Sequence, residues 1–268
     1  MDRIAWHELP PDVLRAAERH MGPIEWAETA SHGVMSRLAC TVQARSGRMF
    51  VKGTRIDDPS AWVYRHEADV TQHAPAAPCV LWRAEAGGWL LVGYEYVDGR
   101  YPDFAPGSHD LGPLVRTLTV LSETPWPEAV RKKPLPTRWA DFLPDDYRPG
   151  LQGRSLAHTD MSPLNMLVTK DDRLCLLDWA LACPAPAWAD TAFAVLRLIS
   201  AGHSPEQAEV VARQVPAYGR ADPVAVSMFA RTVLAAWESR ERTDPLPHRA
   251  ALTTAARSWA AYRGLIRA

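Results

Sequence analysis

The sequence predicts an α+β protein: a small antiparallel sheet carrying one helix, then a larger helix-rich part. Two observations predict it. The first hundred residues read strand, strand, helix, strand, strand, and from about Asp110 the apolar spacing becomes helical. The chain has 268 residues, 47% of them hydrophobic, which is enough to fill two lobes.

Each element has its own signal. Pro10-Pro11-Asp12 opens a short amphipathic helix with Val13, Leu14, Ala17 and Met21 on one side. Leu38 to Val42 and Met49 to Lys52 are strands joined through the turn pair Ser46-Gly47. Asp57-Asp58-Pro59-Ser60 caps a helix over 61–71. Val80 to Ala84 and Trp89 to Val92 flank Gly87-Gly88 as a hairpin. Helical spacing follows over 110–122, 188–201, 204–214, 223–240 and 248–265. Between the first two of these lie a Pro-rich stretch, 124–150, expected as loop with short helical turns, and short strands and loops over 155–179. The change of character at Tyr94 to Gly99 places the lobe boundary there: an N-terminal lobe over 1–95, a hinge over 94–98 and a C-terminal lobe over 96–268.

Net charge is −1, so no bulk field favours nucleic acid or a membrane surface, and neither is expected as a partner. No run of about 18 apolar residues reads as a membrane span, and the first residues lack the apolar core of a signal peptide. Cys40, Cys79, Cys175 and Cys183 are widely spaced and form no metal-ligand pattern; buried thiols in a reducing cytoplasm are expected.

The only asparagine, Asn165, closes His158-Thr159-Asp160-Met161-Ser162-Pro163-Leu164-Asn165, an H-x-D-x-x-x-x-N segment. Asp160 is suited to accept or orient the proton of an attacking hydroxyl. The Asn165 carbonyl suits Mg²⁺, a hard ion that takes oxygen ligands. Asp178 follows the apolar run Leu174-Cys175-Leu176-Leu177, which holds its carboxylate at a strand end as a second metal ligand. Lys52, the only lysine before position 132, ends a strand, and Glu67 follows within the next helix; such a pair holds nucleotide α- and β-phosphates. Glu25 and Asp69 are the other carboxylates considered for Lys52: the first precedes the first strand, the second faces another side of the helix. A hydrogen-bonding role in the loop is expected for His158. Together these groups specify phosphoryl transfer, which works by position and charge rather than by covalent intermediates.

At Lys52, Glu67, His158-Thr159-Asp160-x-x-Pro163-x-Asn165 and Leu177-Asp178-Trp179 the chain resembles the aminoglycoside phosphotransferase and choline kinase branch of the protein-kinase superfamily, over roughly residues 25–200. The resemblance implies a bilobal protein-kinase-like fold whose helix-rich C-terminal lobe binds a small molecule. It implies Mg²⁺ and ATP or GTP as co-substrate. It also makes Asp190 the aspartate that opens the following helix, in a structural role. The branch often reads His-Gly-Asp-x-His-Pro-x-Asn; here Thr159 and Ser162 stand at the Gly and second His positions. The loop Ala30 to Ser36 carries one glycine and is no G-x-G-x-x-G; it reads either as a phosphate clamp through backbone N–H groups, Gly33 and Ser31 or Ser36, or as an ordinary turn. Tyr94 and Tyr96, at the hinge, complete the candidate nucleotide-contacting residues.

The expected activity is transfer of a γ-phosphoryl group to a hydroxyl of a small molecule, by a monomer or homodimer. An antibiotic such as an aminoglycoside is the first candidate acceptor; a sugar, amino alcohol or nucleoside of metabolism, or a non-catalytic nucleotide-binding role, are the alternatives. From residue 190 onward arginines outnumber acids, which counts against a polycation. Glu238, Glu241 and Asp244 form either a local acidic patch or solvated helix faces, and Asp103, Asp141, Asp145 and Asp146 either face the same cleft or solvent. Trp139, Trp179, Trp188, Trp237 and Trp259 fill the core for the most part, with one or two left to stack on a ring.

Overall fold

The computed structural model describes residues 3–30 and 36–266; for Asp145 and Asp146 it describes the backbone alone. The chain divides into two compact units. One comprises Met1–His73, Ala77–Asp98 and Asp178–Ala180; the other comprises Ala74–Ala76, Gly99–Leu177 and Leu181–Ala268.

The first unit holds α1 (Pro11–Met21), β1 (Ile24–Thr29), β2 (Leu38–Ala44), β3 (Gly47–Arg55), α2 (Ala61–Thr71), β4 (Val80–Ala86) and β5 (Trp89–Glu95). The strands form one antiparallel sheet in the order β1-β2-β3-β5-β4. Strand alternation sorts its side chains onto two faces. Met49, Val51, Trp89 and Leu91 pack under α1 with Val13, Ala17 and Met21. Leu90, Val92 and Tyr94, with Phe50 partly buried beside them, pack under α2 with Tyr64 and Ala68. The same alternation turns Lys52, between Val51 and Gly53, toward α2.

β1 is an addition to the sequence expectation. It pairs with β2 at the sheet edge, and none of its side chains is fully buried, so it lacks the apolar alternation that reveals a strand. Glu25 therefore lies on a strand.

The second unit begins with β6 (Gly99–Arg100), α3 (Leu111–Glu123) and α4 (Leu135–Arg138). After a 3-10 turn at Asp145–Leu151 come β7 (Ser155–Ala157), β8 (Met166–Thr169), β9 (Leu174–Leu176) and β10 (Cys183–Ala185). Then follow α5 (Ala189–Ser200), α6 (Pro205–Ala212), α7 (Pro216–Gly219), α8 (Pro223–Thr243) and α9 (Pro247–Tyr262). Two small antiparallel sheets, β10-β7 and β6-β8-β9, frame the segment 158–165. The helices close on an aromatic core: Phe229 has the rings of Trp139, Trp188, Phe193 and Trp259 about it, with centroids 4.9 to 6.3 Å away. Trp179, in the first unit, is also buried, which leaves Trp237 as the partly exposed member of the expected set.

Among the described residues no helix is long and apolar enough to cross a membrane. All four cysteines are free thiols; Cys79 is exposed, against the expectation of buried thiols, while Cys40 and Cys183 are buried.

Candidate active site

In the first unit, Lys52 Nζ lies 2.7 Å from Glu67 Oε1 and 3.3 Å from Asp178 Oδ1. Glu67 faces the sheet from α2 one turn from Tyr64 and Thr71, on the helix side that buries Ala68. Burial opposes the ammonium, yet the two carboxylates outweigh it and push the Lys52 pKa above the ordinary lysine value. Burial pushes the Glu67 carboxyl upward against the pull of Lys52. The other carboxylates considered for Lys52 are elsewhere: Asp69 pairs with Arg83 at 2.7 Å, and Glu25 is exposed on β1. Asp178 has a left-handed backbone, φ 62°, and its side chain is 45% exposed.

In the second unit the segment between β7 and β8 is held at nearly every residue. Asp190, on the first turn of α5, is buried; its Oδ2 accepts the N–H of His158 and its Oδ1 that of Thr159, each at 2.8 Å. Burial raises the Asp190 carboxyl above its usual range, with His158 and the two N–H groups pulling down. The His158 ring is fixed as well. Its Nδ1 accepts the Asp160 N–H at 3.2 Å, and its Nε2 donates to the Leu177 carbonyl at 2.8 Å. Thr159 has φ 65°, a conformation that is strained for a β-branched residue. Its hydroxyl donates to Leu181 O at 2.8 Å and accepts from Arg138 at 2.8 Å, and Arg138 also donates to Leu181 O.

Asp160 itself is partly exposed, 33% at the side chain. Its Oδ1 is paired with Arg197 of α5 at 3.2 Å and accepts the Ser162 N–H at 3.3 Å. Its Oδ2 accepts Asn165 Nδ2 at 3.0 Å. A carboxylate only accepts, so the Asn165 amide nitrogen faces Asp160 and its carbonyl oxygen is the free end. The backbone carbonyl of Asn165 accepts from Leu177 N at 2.8 Å, tying the residue to the strand that precedes Asp178.

Asp178 in the first unit and Asn165 in the second each carry a side-chain oxygen, the ligand type that Mg²⁺ takes. Among the described residues no three His, Cys, Asp or Glu side chains cluster as a metal cage.

Of the remaining candidates, Ser31 and Gly33 lie outside the described residues. Ser36 is half-buried and its carbonyl accepts from Arg3 at 3.3 Å. Tyr94 is buried under α2 with its hydroxyl unpartnered, and burial, then Glu67 and Asp178, push that hydroxyl well above the usual tyrosine range. Arg48 covers the Tyr96 ring at 4.9 Å. Two residues outside the motifs also contact the loop, Arg138 and Arg197. A charge inside the otherwise apolar stretch 192–199 of α5 is the signal that marks Arg197.

These are the parts of a protein-kinase-like fold: an antiparallel sheet with a Lys–Glu pair, and a helix-rich unit bearing the H-x-D-x-x-x-x-N loop. Residues 128–229 match the profile of the phosphotransferase enzyme family, APH. A comparison with curated protein sequences gave no match. Among solved structures, an aminoglycoside phosphotransferase from Alicyclobacillus acidocaldarius superposes with a TM-score of 0.63 at 16% identity, covering 96% of both chains. A choline kinase from Streptococcus pneumoniae superposes with a TM-score of 0.57 at 11% identity, covering 93% of this chain and 98% of its own. A spectinomycin phosphotransferase bound to ADP and spectinomycin gives 0.55 at 13% identity over 92% of each chain. The resemblance to the aminoglycoside phosphotransferase and choline kinase branch therefore holds both in the catalytic segment and in the fold.

Proposed function

We propose that the chain is a Mg²⁺-dependent phosphotransferase that moves the γ-phosphoryl group of ATP or GTP to a hydroxyl of a small molecule, in the cytoplasm. Residues 1–95 act as the nucleotide-binding lobe and 96–268 as the catalytic and acceptor-binding lobe, joined at 94–98. The observation that carries this reading is the state of Asp160: a partly exposed carboxylate fixed by Asn165, Arg197 and the Ser162 N–H, on a loop held by Asp190.

In the transfer the acceptor oxygen attacks the γ-phosphorus and its proton passes to Asp160. The bond from the γ-phosphorus to the β,γ-bridging oxygen breaks, and the nucleoside diphosphate leaves with that electron pair. Lys52, kept charged by Glu67 and Asp178, balances phosphate charge on the nucleotide. Asn165 and Asp178 would hold Mg²⁺, which when bound would neutralise charge on the transferred group. His158 and Asp190 keep the loop in one conformation and take no proton from the reactants.

The retention of Lys52, Asp160, Asn165 and Asp178 supports catalysis over a non-catalytic nucleotide-binding role. An antibiotic such as an aminoglycoside is one acceptor class compatible with the fold. A metabolic or biosynthetic acceptor is the other, and the arginines near Asp160 favour it. The test is γ-phosphoryl transfer from ATP and GTP, read by mass spectrometry over hydroxylated antibiotics, sugars, sugar acids and amino alcohols, with Asp178→Ala as control. A phosphorylated acceptor that is absent with the control supports the reading; failure to bind Mg-nucleotide removes it.

A further inference from the structure

The second unit holds a cavity of about 330 Å³ among α6, α7, α8 and α9, a volume within the range of small-molecule sites. None of its lining residues belongs to the segment 158–165 or bonds to it. Its wall is fixed by a buried ion pair. Glu209 of α6 is 1% exposed; its Oε1 accepts Trp259 Nε1 at 2.9 Å and Arg263 Nε at 2.8 Å, and its Oε2 accepts Arg213 Nη2 at 3.1 Å. Arg263, at the end of α9, reaches on to α8, where Nη1 donates to the Pro223 carbonyl at 3.2 Å and to Ser227 Oγ at 3.1 Å. Its Nη2 lies 3.5 Å from the Tyr218 hydroxyl of α7. These bonds tie four helices together, which accounts for the buried charges. They do not account for the space beside them, since packing alone favours filling it.

The groups left over in the wall are donors. Among the described residues Glu209 is its one carboxylate, and three donors already occupy it. Arg213 is 52% exposed at the side chain; a guanidinium carries five N–H donors, and its bonds to Glu209 and to the Tyr262 hydroxyl leave part of that fork open. The Ser227 and Tyr262 hydroxyls each accept from an arginine, which leaves each O–H to donate. Arg220 and Asp222, on either side of Ala221, carry opposite charges, and Asp222 caps α8 by accepting the Val224 N–H at 2.9 Å. Glu206 is exposed a turn before Glu209 on α6 and does not line the cavity; Arg267 and Ala268 lie outside the described residues. Val226, Pro223 and the Tyr262 ring supply apolar wall.

We infer that this cavity is a second ligand site, for a small organic anion whose carboxylate or phosphate pairs with Arg213 and takes the Ser227 and Tyr262 hydroxyls, while its apolar part lies against Val226 and the Tyr262 ring. A planar guanidinium fork matches two oxygens of either group. A cationic ligand would leave the donors unpaired and face a guanidinium. The site uses none of the residues assigned to phosphoryl transfer, so it stands independently of that reading.

The test is titration calorimetry on the full chain with four probes that share a ring and differ in charge: benzoate, phenyl phosphate, benzyl alcohol and benzylamine. The proteins are the wild type, Arg213→Ala, Ala221→Leu and Arg242→Glu. Arg213→Ala removes the open guanidinium while Glu209 keeps Arg263 and Trp259. Ala221→Leu extends an apolar side chain from the cavity wall and leaves every charge in place. Arg242→Glu changes an exposed charge in the last turn of α8, far from Ser227 along the helix. The inference expects saturable binding of benzoate or phenyl phosphate, at least about tenfold tighter than benzyl alcohol or benzylamine. It expects a loss of about tenfold or more in Arg213→Ala and in Ala221→Leu, and none in Arg242→Glu. The tighter of the two anions tells carboxylate from phosphate. Absence of saturable binding of either anion by about 10 mM overturns it, as does benzylamine binding as tightly as the anions. Displacement of the anion by Mg-ATP assigns it to the nucleotide and also overturns the inference. So does an equal loss in Arg242→Glu. Should Arg213→Ala fail to fold, Ala221→Leu decides alone: unchanged anion affinity overturns the inference and a tenfold loss upholds it.

Discussion

Asp190 Oδ1 accepts the Thr159 N–H at 2.8 Å, and the residue held in this way has a left-handed backbone with φ 65°. A glycine would adopt that conformation without strain. This chain uses threonine and stabilises it through the hydroxyl, which bridges Arg138 and the Leu181 carbonyl.

Thr159→Val and Thr159→Gly separate the two effects. Valine keeps the β-branch and loses both hydroxyl bonds, one of them to a charged group, at a cost of about 1–3 kcal/mol. Glycine loses the same bonds but relieves strain of order 1–3 kcal/mol. Urea unfolding should therefore rank the glycine variant above the valine variant; the reverse order would mean that the backbone at 159 is unstrained.

Asp190→Leu leaves the His158 and Thr159 N–H groups buried without acceptors. The expected loss is about 2–5 kcal/mol, from two unsatisfied donors. Because the loop carries Asp160, kcat should fall while the nucleotide KM changes little. A variant of wild-type kcat would show that the loop keeps its conformation without Asp190.

The Lys52–Glu67 pair gives a pH signature. The folded-state pKa of Lys52 lies above its ordinary value of 10.5. Above that pH the folded chain binds more protons than the unfolded one, so the stability from the ammonium is complete below about 10.5 and is lost as pH rises beyond it. The stability difference between the wild type and Lys52→Met/Glu67→Gln should be flat from neutral pH to about 10 and shift against the wild type above that. Lys52→Met alone should cost about 3–5 kcal/mol and the double variant less, since only the single change leaves Glu67 buried without its cation.

Phe229 is the hub of the second unit's core. Phe229→Ala should destabilise by about 3–5 kcal/mol, measured by denaturant unfolding. A loss under about 1 kcal/mol would mean that the four surrounding rings collapse into the cavity.

The legible parts of the fold were those in which one face is buried. α2 is found at Ala61–Thr71, where the sequence places it, although Ser60 makes no side-chain cap bond and Asp58 instead accepts the Ser60 N–H; β2 to β5 lie where alternation and turn glycines place them. β1 escaped because an exposed edge strand needs no apolar face. Of the proposed site residues, Lys52, Glu67, Asp160, Asn165 and Asp178 were legible in the sequence from motif spacing. The arginines were invisible to that reading: Arg138 and Arg197 lie on two helices far apart in sequence, and only tertiary packing brings them to the loop. The acids at Glu238 and Asp244 read in the sequence either as a local patch or as solvated helix faces, and packing pairs each with an arginine.

The central claim is that Asp160 acts in phosphoryl transfer, and single-turnover transfer by Asp160→Ala with Mg-ATP and a responsive acceptor tests it most directly. The account predicts a loss of roughly 10²–10⁴-fold in the transfer rate, the usual worth of a positioned proton acceptor, with nucleotide affinity retained. A transfer rate close to that of the wild type would contradict it.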